Sequence, residues 1–129
     1  MKLLIVEDKA SIRAEMRKIL TQLNFHDITE AVDGTDGWFK LKAEFEGKTR
    51  DTYDLVISDM EMPGMSGLEL LEAVRGDKEL KDLPFIMVTT INTKEVIIKT
   101  MKLGIKGYII KPFTLESVGA KLKQAGFIG

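Results

Sequence analysis

The sequence predicts an α/β fold: a doubly wound sheet of five parallel strands, with five helices on its two faces. Three observations carry this. Short apolar runs rich in β-branched or aromatic residues recur without alternating with polar ones, as strands do when both faces are covered. Segments with apolar residues at helical spacing separate those runs. The order is strand then helix five times over, which demands parallel pairing through right-handed crossovers.

The first strand is Leu3-Leu4-Ile5-Val6. Ile12, Met16, Ile19, Leu20 and Leu23 then form one apolar stripe, the first helix. Asp27-Ile28-Thr29-Glu30-Ala31 is the most polar strand candidate and belongs at a sheet edge. After an Asp33-Gly34 turn, Trp38, Leu41 and Phe45 mark the second helix, and the charged stretch from Glu44 to Thr52 reads as a surface loop. Leu55-Val56-Ile57 is the third strand. Ser66 and Glu69 have the spacing of a capping box, so a third helix starts there and turns Leu68, Leu71 and Val74 inward. Phe85-Ile86-Met87-Val88 is the fourth strand. Asn92 or Thr93 can cap a fourth helix running through Leu103, and Gly104 suits its left-handed stop. Tyr108-Ile109-Ile110 is the fifth strand, and Thr114 caps a last helix with Leu115, Val118 and Leu122 on one side.

Composition narrows the function. At 129 residues the chain has room for one domain of ordinary size. Its 19 basic and 20 acidic side chains leave a net charge of −1, without the basic face that nucleic-acid binding needs. The absence of cysteine excludes disulfides, thiol catalysis and Cys-based metal sites, and a lone histidine, His26, argues against a Ser-His triad. No apolar stretch approaches the ~20 residues of a membrane span, and no signal peptide is evident, so a cytoplasmic monomer is expected.

In an open α/β sheet, ligands bind beyond the carboxyl ends of the strands. Glu7 and Asp8 follow the first strand, Asp59 the third, Thr89 the fourth and Lys111 the fifth. Three carboxylates held together repel one another unless a cation joins them, and an oxygen-only ligand set favours Mg²⁺. Asp59 can be a metal ligand through one oxygen and a nucleophile toward phosphorus through the other. The oxygens of a transferring phosphoryl group need positive or hydrogen-bonding partners, which Mg²⁺, the Lys111 ammonium and the Thr89 hydroxyl can supply.

With Glu7-Asp8, the loop Asp59-Met60-Glu61-Met62-Pro63-Gly64-Met65-Ser66-Gly67, Thr89 and Lys111-Pro112-Phe113, the chain resembles the receiver domain of bacterial two-component response regulators, in its stand-alone, CheY-like chemotaxis type. The resemblance implies a flavodoxin-like sheet of order 2-1-3-4-5 and one receiver domain over residues 1–129, with no effector domain. It implies that Asp59 is the phosphoacceptor, and that Glu7, Asp8, Asp59 and the backbone carbonyl of Glu61 hold Mg²⁺. Lys111 binds the phosphoryl group, Thr89 and Tyr108 form the switch pair, and the Lys111-Pro112 bond is cis. The implied partners are a sensor histidine kinase and a downstream protein such as a flagellar motor switch component. The output surface would be the fourth helix, fifth strand and fifth helix. Phosphorelay intermediate and phosphate sink are alternative roles.

Three positions depart from the family's pattern: Thr90, where Ala or Gly is usual; Ile91, where a polar residue is expected; and Glu61, in place of an amide. Ile91 and Glu61 are expected to alter water's attack on the phospho-aspartate. A haloacid-dehalogenase-like, Mg-dependent phosphatase shares these residue types, and Asp59-Met60-Glu61 mimics its Asp-x-Asp. Chain order opposes it, because its nucleophile opens the domain whereas here the acidic pair comes first. A flavin binder fits worse, since Glu7-Asp8 would repel the phosphate. The expected behaviour is that of a self-phosphorylating and self-dephosphorylating acceptor, not a turnover enzyme.

Overall fold

The computed structural model describes residues 1–46, 53–90 and 93–129, without the side chains of 44–46. The order is β1 (Lys2–Val6), α1 (Ala10–Gln22), β2 (Asp27–Ala31), α2 (Gly34–Glu46), β3 (Leu55–Asp59), α3 (Gly67–Gly76), β4 (Phe85–Thr89), α4 (Lys94–Lys102), β5 (Gly107–Ile110) and α5 (Leu115–Gln124). The strands form one parallel sheet in the order β2-β1-β3-β4-β5, as expected.

The period-2 geometry of a strand explains the uninterrupted apolar runs. Leu3, Ile5, Leu55, Ile57, Ile86 and Val88 face one layer, where Met16, Ile19 and Leu20 of α1 meet Val118 and Leu122 of α5. The alternate residues Leu4, Val6, Val56, Phe85 and Met87 face Leu41 of α2 and Leu70, Leu71 and Val74 of α3. Val96 and Leu103 bring α4 to the same layer. Two cores thus clamp the sheet and leave its strand ends as the place where polar residues can gather.

The helix ends follow local chemistry. Ser66 and Glu69 close a capping box on α3, and Thr114 closes another with Ser117 on α5. Gly104 has a φ of 73°, which ends α4 as foreseen. Thr93 occupies the N-cap of α4, yet its side chain makes no cap bond.

Several side chains fall elsewhere than the sequence suggests. Leu71 and Val74 of α3 are buried as expected, joined by Leu70, while Leu68 packs only partly buried against the same core. Leu115, the first residue of α5, is 37% exposed, and the helix enters the core from Val118. Ile110, the last residue of the edge strand β5, is 42% exposed. Glu44, Phe45 and Glu46 lie within α2, not in a loop. Residues 47–52 of that stretch, Ile91, Asn92 and the Phe45 side chain lie outside the described residues.

Candidate functional site

Strand register assembles the site. Val6 pairs with Ser58, so Glu7 and Asp59 leave β1 and β3 at one level, with adjacent strands about 4.8 Å apart. Asp59 pairs with Val88 and Thr89 with Ile110, which brings the ends of β4 and β5 to the same rim. One carboxylate oxygen from each of Glu7, Asp8 and Asp59 lies within 4.8 Å of the others. Lys111 follows β5 directly. Its Nζ is 3.0 Å from Glu7 Oε1 and 3.1 Å from Asp59 Oδ2.

Glu7 is held on every side. Its N–H donates to the Ala31 carbonyl at 3.1 Å, and its Oε2 accepts from the Lys9 N–H at 3.0 Å. Its own carbonyl accepts from Arg13 Nη1 at 2.8 Å. Asp59 is fixed through its backbone: the Gly67 N–H donates to the Met60 carbonyl at 2.9 Å and brings the start of α3 flat against the end of β3. A Cβ at Gly67 would overlap the Asp59 carbonyl, so only glycine permits this approach.

The electrostatics are those of a cation site. Burial pushes the Glu7 carboxyl above its ordinary pKa, and Asp8 and Asp59 add to this against the bonds from Lys9 and Lys111. Burial works against the Lys111 ammonium, but its bonds to Glu7 and Asp59 prevail and its pKa is raised. Among the described residues, these three carboxylates are joined by the one Lys111 ammonium, which pairs with Glu7 and Asp59. Two negative charges are left over, which an oxygen-seeking divalent cation would balance. A cavity of about 210 Å³ opens beside them, lined by Asp8, Asp59, Glu61, Thr89, Thr90 and Lys111 among others. That is far above the ~10–15 Å³ one water needs, so a hydrated ion and a phosphoryl group both fit. The donor set and the space suit Mg²⁺.

The sequence-predicted residues are thus largely gathered. Glu7, Asp8, Asp59 and Lys111 meet directly, while Thr89 and Glu61 line the cavity, Thr89 buried and Glu61 exposed. Thr90 stands exposed on the cavity wall, and the Lys111-Pro112 peptide is cis. Tyr108 does not line the cavity; it packs partly buried against the α2–α3 core. Its hydroxyl is buried without a hydrogen-bond partner among the described residues, and burial pushes the phenol pKa up. Sequence reasoning missed Lys9, Arg13 and the role of Gly67. Arg13 and Lys9 act on the backbone and side chain of Glu7 across turns that no pattern of residue types reveals. Gly67 was visible only as part of a motif.

Comparison with known proteins places these features. A family model described as the response regulator receiver domain matches residues 3–123. The chain is 38% identical over 123 residues to chemotaxis protein CheY1 of Helicobacter pylori, covering 95% of this chain and 94% of that protein. It is 39% identical over 124 residues to chemotaxis protein CheY-3 of Vibrio cholerae, covering 96% and 90%. Among solved structures, Vibrio cholerae chemotaxis protein CheY4 superposes with a TM-score of 0.82 at 31% identity, covering 96% of this chain and 97% of that one.

Proposed function

The chain belongs to the response regulator receiver domain family, and on that premise we propose that it is a cytoplasmic, phosphorylation-activated switch in chemotaxis whose phosphoacceptor is Asp59. The observation that carries the assignment is the contact of Asp59 with Lys111 at 3.1 Å beside two further carboxylates. An Asp59 carboxylate oxygen attacks the phosphorus of a phosphohistidine on a sensor kinase. The new O–P bond forms as the P–N bond breaks, and the electron pair leaves with the imidazole, which takes up a proton. Glu7, Asp8, Asp59 and the Glu61 carbonyl would hold Mg²⁺, which when bound would supply positive charge to the transferring oxygens. Lys111 gives its ammonium to a phosphoryl oxygen, and Thr89 donates its hydroxyl to another. Water later cleaves the O–P bond and restores Asp59, so the protein carries a signal without turning over a substrate.

The added charge and acceptor oxygens draw Thr89 toward the phosphoryl group. Tyr108, whose hydroxyl has no hydrogen-bond partner among the described residues, moves inward with it. α4 and β5 present Ile98, Met101 and Ile110 at 43%, 65% and 42% exposure, an apolar surface for a downstream protein that prefers the phosphorylated shape. The test is labelling with radioactive acetyl phosphate in the presence of Mg²⁺. Stoichiometric labelling that disappears in Asp59→Asn is expected; a variant that labels as well as the unaltered protein refutes the assignment.

A further inference from the structure

We infer that Arg13 is a positioning residue for the Glu7-Asp8 turn, an inference that rests on reading the acidic trio as a divalent-cation site. Arg13 lies in the first turns of α1, with its side chain only 16% exposed. Its guanidinium spans two elements. Nη1 donates to the Glu7 carbonyl at 2.8 Å, and Nε donates to Glu30 Oε1 on β2 at 3.1 Å. Glu30 in turn is paired with Arg17 and sits beside Ile5 in the sheet, so this anchor is fixed to β1's own neighbour.

The Glu7 carbonyl and the Asp8 nitrogen share one rigid peptide plane. The plane on the other side of Glu7 is already pinned by its N–H to Ala31. Holding the carbonyl therefore sets the direction in which the Asp8 side chain leaves the backbone. Asp8, Glu7 and Asp59 repel one another, and a turn free to rotate would relieve that repulsion by spreading the ligands. Arg13 opposes this spreading while touching neither the cation nor the phosphoryl group. The fork is essential, because its planar N–H groups point in fixed directions, whereas the donors of a lysine ammonium rotate freely on a flexible stem.

The experiment is a Mg²⁺ titration of the full chain, followed by backbone amide chemical shifts, on Arg13→Met, Arg13→Lys and Glu30→Gln. Urea unfolding without Mg²⁺ is measured alongside. Arg13→Met should weaken Mg²⁺ by about 10-fold, the usual scale for removing a group that orients a metal ligand. Arg13→Lys should fail to restore the affinity, and Glu30→Gln should weaken it less. Labelling of all three by acetyl phosphate should recover at saturating Mg²⁺. Unchanged Mg²⁺ affinity in Arg13→Met overturns the inference, as does full rescue by lysine. Should Arg13→Met not fold, unchanged affinity in Glu30→Gln and Arg13→Lys overturns it. If the unaltered protein binds no Mg²⁺, the functional reading itself fails and this inference falls with it.

Discussion

Gly67→Ala tests the link between fold and phosphoacceptor. The added methyl would overlap the Asp59 carbonyl oxygen and stand 2.9 Å from the Asp59 carbonyl carbon and 3.0 Å from Met60 Cα. All three are backbone atoms, so no side chain can swing aside. Either α3 retreats or the end of β3 shifts, by roughly 1.5 Å if ordinary van der Waals separation from that oxygen is to be restored. Overpacking of this kind costs about 1–3 kcal/mol. Retreat also weakens the bond from the Gly67 N–H to the Met60 carbonyl, at a further ~1 kcal/mol. Alanine's better helix propensity returns at most ~1 kcal/mol, and less at the first residue of a helix. The net is a loss of about 2–3 kcal/mol, a large part of the ~5–15 kcal/mol typical of a domain. Urea unfolding measures it as a lower midpoint at unchanged slope. A displacement of ~1 Å at a reacting group can cost about 100-fold in rate, so acetyl phosphate labelling of the folded variant should slow sharply. An alanine variant of unaltered midpoint that labels at the original rate would show that the contact between α3 and β3 does not position Asp59.

Two other substitutions probe single groups. Tyr108→Phe removes a buried hydroxyl without a partner among the described residues and should raise stability by about 1 kcal/mol; a comparable loss in urea unfolding would mean the hydroxyl is bonded. Glu30, hydrogen-bonded by Arg17 and Arg13, has a pKa held below the ordinary carboxylate value. Its stabilisation is therefore present above the unfolded pKa of about 4.3 and lost as the pH falls through the lower folded value. With the Glu30 side chain 31% exposed, Glu30→Gln should cost about 1 kcal/mol at neutral pH, a gap that closes in acid. A gap of constant size from neutral pH into acid refutes this. Asp36 and Asp77 are depressed too, but they are common to both proteins and cancel in the comparison.

Much of the site could be read from the chain because strand ends are readable. In a parallel sheet the residue after each apolar run must emerge on one rim, so Glu7, Asp8, Asp59 and Lys111 were bound to meet once the strands were placed. Tyr108 was legible as a residue type and not as an environment. Its burial without a partner depends on how α4 and the α2–α3 layer close over β5. The side-chain errors have a common cause. Leu115 and Ile110, both exposed, lie at a helix start and a strand end, where periodicity still reads apolar.

Periodicity and composition by themselves determined the five βα units, the exclusion of thiol chemistry, and which residue types stand at the rim, because these depend only on residue content and neighbours along the chain. The tertiary structure decided the bite of Arg13 on Glu7 and Glu30, the closeness of Gly67 to Asp59, and the 3.0 and 3.1 Å contacts of Lys111. Those contacts join residues far apart in sequence, and their distances are set by strand register and helix packing, which no local pattern encodes.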